Sequence, residues 1–316
     1  MDTSQFRSYS ELQLASSTGR AGMDRRRAEH RGDCGAFGRE LRRWRCIRAM
    51  SQLDLATTVG TSPRHLSFVE TGRSTPGRDL VLRLVEALDI PLRHRNGLLA
   101  AAGYASIFQD SALSAPAMEV VRTALDFVLA QQEPYPAIVA RPDWTVIMAN
   151  QAAVQWRRLF ISDAEKDRAG PAAANAMKMF FDPLLFRPYV VNWERCARDI
   201  LLRLRYEAAS LGPESPPARL VRELLTYPGV PQAAESEPGS LPPNEPLMTV
   251  HMAKGHTRLS YFSMLTTFGT PQDVLLEELR IKLFFPADAD SAVLFQRLAK
   301  LNGTAPGALV AAAAAP

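Results

Sequence analysis

Apolar residues recur at helical spacing in the first third of the chain. One stripe consists of Phe37, Leu41, Trp44 and Ile47, on a segment that otherwise carries arginine. This spacing places the four side chains on one face of a helix, which must pack against other helices to leave water. Helical patterning continues without a strand-like run, and it predicts an all-α domain over residues 34–105.

The pattern changes in the larger C-terminal part. Short apolar or alternating runs there are bounded by turn residues, which is typical of strands, and they lie between helical segments. An α+β domain over residues 118–300 is therefore expected. The predicted strands are Ala137–Val139, Trp144–Ala149, Leu247–Met252, Leu259–Phe268 and Glu278–Phe285, and the predicted helices are 118–131, most of 151–226, and 288–300.

Four segments have neither pattern. Residues 1–33 are polar and arginine-rich and predict a disordered tail, in which Met23 is an alternative start to Met1. The remaining three are the polar linker 106–117, the proline-rich loop 228–246 and the disordered, alanine-rich tail 301–316.

The segment SQLDLATTVGTSPRHLSFVETGR has the layout of a helix-turn-helix. Its first residue, Ser51, is a suitable N-cap, and Asp54 three residues later completes a capping box. Gly60 supplies the left-handed residue that ends the first helix. Thr61 or Ser62 then caps the second helix, so local chemistry alone predicts two helices joined by a tight turn.

The second of these helices is the candidate recognition helix. A recognition helix enters the major groove by its N-terminal end. Arg64 lies there and is suited to pair bidentately with guanine, while Gln52 is placed to bind phosphate. The outward or semi-outward residues are Ser62, Arg64, His65, Ser67 and Phe68, and Arg73 with Arg39, Arg42 and Arg43 are candidates for further phosphate contacts. The alternative is a plain helical bundle with a solvated arginine face.

Charge separates the two parts of the chain. Residues 1–110 contain 17 Arg, no Lys and 12 acidic residues, a net charge of +5, whereas the remainder carries −1. An excess of this kind favours an anionic partner such as nucleic acid. No apolar run is long enough for a membrane helix and no secretory signal is present, so we expect a cytoplasmic protein that does not engage a membrane. Cys34, Cys46 and Cys196 predict free thiols.

SQLDLATTVGTSPRHLSFVETGRSTP resembles the helix-turn-helix of the XRE-type, lambda-repressor-like bacterial transcription regulators. The initial S-Q, the L-A pair, the V-G turn, the T-S start and the E-x-G-R-x-x-P exit appear in order. The resemblance implies a five-helix domain. It also implies DNA contacts from Gln52, Thr61, Ser62, Arg64, His65 and Ser67. Pro63 and Phe68 depart from the pattern, since relatives often place polar residues there.

The C-terminal part is rich in aromatic residues, which are more often core than pocket. Asn150 follows a predicted strand and either caps the next helix or contacts a ligand. Trp193 and Arg195 either pack or hold a ligand head group. The candidate ligand-binding residues are Trp144, Asn150, Phe181, Trp193, Phe262 and Phe284.

The phrases PYPAIVARPDWTVIMANQAA, FFDPLLFRPYVVNWERCARDILLRLR and LTTFGTPQDVLLEELRIKLFFPAD resemble the MmyB-like ligand-binding domain, which in relatives directly follows an XRE-type domain. The resemblance implies a PAS-like fold, a small antiparallel sheet with helices packed on one face. It also implies an apolar pocket for a fatty-acyl or similar ligand.

Chemistry of an enzyme or a metal centre is not predicted. The sequence lacks G-x-G-x-x-G, G-x-x-x-x-G-K-[ST], G-x-S-x-G and H-E-x-x-H. His251 and His256 have no carboxylate or thiol spaced to complete a metal site. We therefore expect no catalytic residues, no metal and no cofactor.

These features predict a sequence-specific DNA-binding regulator, a homodimeric repressor that binds a palindromic operator in double-stranded DNA. An apolar small molecule such as a fatty acid would modulate its operator binding. One alternative is a regulator whose C-terminal domain serves only dimerisation or protein interaction. Another is a small-molecule-binding protein whose helical front no longer reads DNA.

Overall fold

The computed structural model describes residues 35–231 and 247–300. They form two compact units that divide between Asp110 and Ser111, here named unit 1 and unit 2. The tails predicted at 1–33 and 301–316, Cys34 and most of the proline-rich loop lie outside the described residues.

Unit 1 is helical throughout, and the predicted apolar stripe is its core. Phe37, Leu41 and Trp44 are buried, and Ile47 is half-buried. Burial of large side chains on one face fixes how the helices pack. The helices are α1 (35–47), α2 (Gln52–Thr58), α3 (Pro63–Glu70), α4 (Arg78–Ala87) and α5 (Leu92–Ala101).

Local capping chemistry sets the ends of α2 and α3. Ser51 and Asp54 form the predicted capping box at the start of α2. Gly60 adopts the left-handed conformation, with φ +67°. Ser62, not Thr61, caps α3: its side chain accepts a hydrogen bond from the backbone N–H of His65 at 3.1 Å. Residues close together in the sequence therefore determine the helix-turn-helix geometry.

Unit 2 combines helices with one sheet. The predicted strands are present, and each end lies within three residues of its predicted position. One short helix, Val274–Glu278, was not predicted. The elements are α6 (Glu119–Gln131), β1 (Ala137–Ala140), β2 (Val146–Ala149), α7 (Gln151–Phe160), α8 (Asp163–Ala169), α9 (Ala176–Phe181), α10 (Trp193–Leu211), α11 (Pro216–Leu224), β3 (Val250–Lys254), β4 (Thr257–Thr266), α12 (Val274–Glu278), β5 (Arg280–Pro286) and α13 (Ala289–Lys300).

The sheet is antiparallel, with strand order β2-β1-β5-β4-β3. Helices cover both faces at β1, so the expectation of helices on one face is wrong. Ile138 and Ala140 join the large core on one side, whereas Ala137 and Val139 pack towards Leu125 of α6 on the other. The reason is that every residue of β1 is apolar and buried, which leaves no face for water.

The strand predicted from Trp144 begins two residues later, at Val146. Trp144 lies in a tight turn with φ +66°, and its backbone N–H donates to the carbonyl of Arg141 at 2.8 Å. Asp143 accepts from the backbone N–H of Thr145 at 3.0 Å and stabilises the turn. The turn, and not a strand, therefore orients the indole.

The segment predicted as a linker, 106–117, is shared between the units. In unit 1, Asn96 accepts hydrogen bonds from the backbone N–H groups of Ile107 and Phe108. In unit 2, Arg122 donates to the carbonyls of Leu113 and Ala115. Each end of the segment is thus held by its own unit.

Candidate functional site

The N-terminal end of α3 presents the predicted DNA-reading residues together. Ser62 and Arg64 are exposed, and Thr61, His65 and Ser67 are half-buried. Pro63 occupies the first turn, where its missing N–H costs nothing. This end of the helix therefore offers an exposed guanidinium beside small polar groups.

Phe68 lies between two of the predicted DNA-binding arginines. The guanidinium carbon of Arg64 is 5.4 Å from the centre of its ring, and that of Arg73 is 6.0 Å away. Both distances fall within the range of a cation–π interaction. The ring thus restrains both side chains near the exposed face of α3.

A buried ion pair holds α3 against α1 and α2. Glu70 accepts hydrogen bonds from Nε and Nη2 of Arg45, at 2.7 and 3.1 Å, and from the side-chain amide of Gln52 at 2.7 Å. The hydrogen bond with Glu70 raises the pKa of Arg45. Arg45 also donates to the carbonyl of Met50 at 2.9 Å. Gln52, predicted to bind phosphate, therefore also holds α3 in place.

Sequence reasoning did not single out Arg45 and Glu70. In the sequence, Glu70 appeared only as one letter of the E-x-G-R-x-x-P exit motif, and Arg45 only as one of the arginines on the segment that carries the apolar stripe. The signal was present: an acidic residue at the apolar phase of α3, next to Val69, requires a buried cation as a partner.

α1 approaches the end of α3 closely at Gly38. A Cβ at this position would lie 2.6 Å from the carbonyl oxygen of Val69 and nearer still to that of Glu70. Only glycine fits between these backbones. Of the predicted phosphate-contacting arginines on α1, Arg39 and Arg42 are exposed, whereas Arg43 pairs with Glu40.

The sequence allowed two roles for Asn150 in unit 2, helix capping and ligand contact. The structure gives it the structural role, the capping of α7. Its Oδ1 accepts from the backbone N–H groups of Ala137 and Ala153, at 2.9 and 3.0 Å. Its Nδ2 donates to the carbonyls of Leu129 and Tyr135, at 3.2 and 2.8 Å. An amide side chain has two donors and two acceptor positions, so no hydrogen-bonding capacity remains for a ligand.

The other predicted ligand residues do not form one group. Trp144, Phe181, Trp193 and Phe284 belong to the large core. Phe262 lies on the other face of the sheet, where its ring stacks on Phe285 at 5.5 Å. Alternation along β4 explains the separation, since Tyr261 and not Phe262 points towards the large core.

Three cations surround the indole of Trp144, a residue with no exposed surface. The distances to the ring centre are 5.1 Å for the guanidinium carbon of Arg203, 5.2 Å for that of Arg280 and 5.3 Å for Nζ of Lys282. Glu207 accepts a hydrogen bond from Arg280 at 2.8 Å. We name these five residues the Trp144 cluster.

The Trp144 cluster was not predicted, although part of its signal is in the sequence. The alternation in ELRIKLFF places Arg280 and Lys282 on the same face as Phe284. A cation at a core-facing position of a strand is unusual. The contribution of Arg203, which comes from α10, depends on packing.

Trp193 lies beside a surface depression of about 810 Å³. Its Nε1 donates to the carbonyl of Phe180, and the guanidinium of Arg187 covers its ring at 3.7 Å. Arg195, named with Trp193 as a candidate for a ligand head group, also borders the depression.

The described residues contain no group of three His, Cys, Asp or Glu side chains that could hold a metal ion. His251 contacts the hydroxyl of Ser260 through Nδ1 at 2.9 Å. Cys46 is exposed and Cys196 buried, both as free thiols. In the same part of the chain, no helix is long and apolar enough to cross a membrane.

Comparisons with known proteins match both units. The family model described as MmyB-like transcription regulator ligand binding domain matches residues 121–298, and a helix-turn-helix model matches residues 41–94. Among solved structures, the restriction-modification controller protein C.AhdI from Aeromonas hydrophila is 33% identical, with 20% of this chain and 97% of that chain covered and a TM-score of 0.20. No curated protein matches the chain.

Proposed function

The chain belongs to the family of transcription regulators with an MmyB-like ligand-binding domain, and we propose that it is a ligand-responsive repressor that reads DNA through α3. The observation that carries the proposal is the exposed N-terminal end of α3, with Ser62 and Arg64 at its tip and Glu70 anchoring its other end. A fixed helix with an exposed guanidinium at its N-terminus suits major-groove reading.

DNA binding is tested by selecting bound sequences from random duplexes and measuring affinity for the selected site. Arg64→Ala should weaken specific binding by about 1–3 kcal/mol and relax the preference at one base pair. Arg168→Ala is the matched control, because Arg168 is an exposed arginine of α8 in unit 2. Equal affinity and equal base preference for Arg64→Ala and the parent chain would refute the role of Arg64.

The operator is proposed to be palindromic and the protein a homodimer, since paired recognition helices reach half-sites about one DNA turn apart. A selected sequence with two inverted half-sites at this spacing supports the dimer. Binding that weakens steeply as salt rises supports phosphate contacts by the basic residues of unit 1, whereas salt-independent binding argues against DNA as the partner. A reporter gene that falls silent when the protein is supplied distinguishes a repressor from an activator.

The effector is proposed to be an apolar molecule such as a fatty acid, held in a PAS-like unit 2. The five-stranded antiparallel sheet and its aromatic core support this proposal. Native mass spectrometry followed by solvent extraction tests it, because a stoichiometric acyl adduct would identify the ligand class. The released molecule should then change operator affinity, since a ligand shifts only an equilibrium to whose states it binds differently.

A second candidate function for unit 2 is dimerisation without a ligand. It is favoured by α6, whose solvent side carries Val120 and Phe127, 80% and 65% exposed, with exposed Ala124 between them. These positions lie on one face of the helix. Phe127→Lys should convert a dimer to a monomer in analytical ultracentrifugation if this face is the interface. An unchanged sedimentation coefficient would remove the support that α6 gives to this candidate.

A further inference from the structure

We propose that the surface depression beside Trp193 in unit 2, here named the Trp193 depression, binds a multiply charged phosphate group through Arg187, Arg195 and Arg198. The ligand is a chain of phosphates, either free or carried by a nucleoside. The site depends neither on the apolar effector nor on DNA reading, so it adds a polar ligand to the roles proposed above.

Arginine dominates the charge of the Trp193 depression. Its lining contains Arg187, Arg195 and Arg198, and Glu194 is the one acidic side chain among the described residues that border it. Three positive charges thus face one negative charge. Asp199 interacts electrostatically with Arg195 and Arg198, but it does not border the depression. A surface of this sign favours an anion.

The size of the depression favours a ligand larger than a single phosphate ion. Its volume of about 810 Å³ lies in the range of small-ligand sites. Arg195 and Arg198 are three positions apart on α10 and therefore lie side by side on the helix, whereas Arg187 comes from the segment before α10. Because each arginine can bind phosphate oxygens bidentately, a chain of phosphates can accept from both segments at once.

Arg187 is held in place before any ligand binds. Its guanidinium carbon is 3.7 Å from the centre of the Trp193 ring, and Nη1 donates a hydrogen bond to the carbonyl of Pro228. Trp193 is itself fixed, since its Nε1 donates to the carbonyl of Phe180 at 3.0 Å. A side chain that is already ordered loses little conformational entropy on binding, which favours affinity.

The start of α10 adds to the positive potential of the depression. Asn192 occupies the N-cap position, but its side chain does not cap the helix. It instead donates to the carbonyl of Thr249 at 2.8 Å and accepts from the backbone N–H of His251 at 3.0 Å. The positive end of the helix dipole therefore lies beside the arginines without a side-chain acceptor.

The competing explanation is a solvated arginine surface without a specific ligand. On such a surface an anion responds to the total charge of the chain. Removal of any one exposed arginine should then weaken anion binding to a similar extent. The proposed site instead predicts that the position of the arginine decides the loss.

The experiment measures binding of inorganic tripolyphosphate, ATP and citrate to the full chain by calorimetry near physiological ionic strength. Tripolyphosphate should bind more tightly than citrate, because its phosphates offer more charge and more acceptor oxygens to the arginines. The comparison of the two phosphate probes identifies the source of the ligand. Tighter binding of ATP assigns the site to a nucleoside triphosphate, and equal or weaker binding assigns it to the free phosphate chain.

Arg198→Ala is the test variant, and Arg168→Ala is the matched control, because both arginines are exposed on helices of unit 2 and both changes remove one positive charge. Arg198→Ala should lose about tenfold in tripolyphosphate affinity, as for a hydrogen bond between charged groups. The control should behave like the parent chain. Arg187→Lys is a second variant that keeps the charge but loses the planar fork, and it should lose about fivefold.

Equal losses in Arg198→Ala and Arg168→Ala overturn the proposal, as does full affinity in both Arg198→Ala and Arg187→Lys. Citrate binding as tight as that of tripolyphosphate also overturns it, and so does the absence of binding by both phosphate probes. Operator affinity is measured with the same variants. If Arg198→Ala weakens operator binding but not tripolyphosphate binding, the arginine contacts DNA phosphates and the proposed site is refuted.

Discussion

The two units differ in how completely the buried atoms of their charged side chains are hydrogen-bonded. In unit 1, Glu70 is buried with both oxygens occupied by Arg45 and Gln52, so the charge is neutralised and its donors are used. In unit 2, the side chain of Arg203 is 42% exposed, yet its Nε is buried beside Trp144 without a hydrogen bond. A fully hydrogen-bonded ion pair fixes one geometry, whereas a buried donor without an acceptor destabilises the folded state.

The difference fits the two proposed tasks of DNA reading and ligand response. A helix that reads DNA, the role proposed for α3, must have one position before DNA arrives, because misplacement of a reading side chain loses base contacts. A ligand-responsive domain, the role proposed for unit 2, must instead change when its ligand arrives, since a ligand shifts only an equilibrium to whose states it binds differently. The following changes test each side of this contrast, beginning with the largest expected effect.

Replacement of the buried carboxylate of Glu70 should have the largest effect on the stability of unit 1. Glu70→Ala leaves the guanidinium of Arg45 buried without its partner, which should cost about 3–5 kcal/mol. Hydrogen exchange of the full chain should then accelerate across α1–α3 and stay unchanged across β1–β5. Glu70→Gln, which keeps an acceptor, should lose less. Unchanged exchange in Glu70→Ala would show that the ion pair does not hold α3.

Closing the gap between α1 and α3 should have the next largest effect. Gly38→Ala places a methyl group against backbone carbonyls and should destabilise unit 1 by about 1–3 kcal/mol. Gly97→Ala is the matched control, since Gly97 lies in α5 and an added Cβ there would meet no other atom within 4 Å. That change should stabilise the helix by about 0.5–1 kcal/mol. The opposite signs can be checked by chemical denaturation, and equal effects would contradict the close approach.

Lys282→Met, which replaces one cation of the Trp144 cluster by an apolar side chain of similar length, should stabilise the ligand-free protein by about 1 kcal/mol at pH 7. Lys282 titrates near 7 in the folded chain but at about 10.4 when unfolded. The unfolded chain therefore holds more protons between these values, and stability of the parent rises with pH across this window. The advantage of Lys282→Met should shrink between pH 7 and pH 9 in thermal denaturation. A gap that is independent of pH would contradict the lowered pKa.

The smallest effect is expected at Phe68. Phe68→Leu keeps an apolar side chain but removes the ring that restrains Arg64 and Arg73. Operator affinity should fall by about 0.5–1 kcal/mol, as for an exposed cation–π contact. Fluorescence anisotropy with the selected operator measures this loss. Full affinity in the variant would mean that the arginines need no such restraint.

Much of unit 1 could be predicted because its signals are local. Ser51, Asp54, Gly60 and Ser62 each act on backbone groups within four residues, so their roles can be read from neighbouring letters. The buried stripe of Phe37, Leu41 and Trp44 follows from helical period alone. DNA contacts at the predicted residues stay a prediction.

Unit 2 was predicted less completely because its features depend on distant pairs. Strand ends were placed within three residues, and the strand predicted from Trp144 begins two residues later because the Asp143 side chain stabilises a turn there. The exclusion of Phe262 from the large core depends on which face of β4 turns inward. Periodicity alone does not decide this when both faces carry apolar residues.

The sequence by itself determined the helix-turn-helix, its caps and the presence of a mixed second unit, because these follow from interactions over a few residues. Only the tertiary structure decided that Arg45 and Gln52 meet at Glu70, and that Arg203 meets Lys282 beside Trp144. The physical reason is that a charged side chain pairs with whichever group lies close to it in space. The packing of helices and strands, and not spacing along the chain, determines which groups are close.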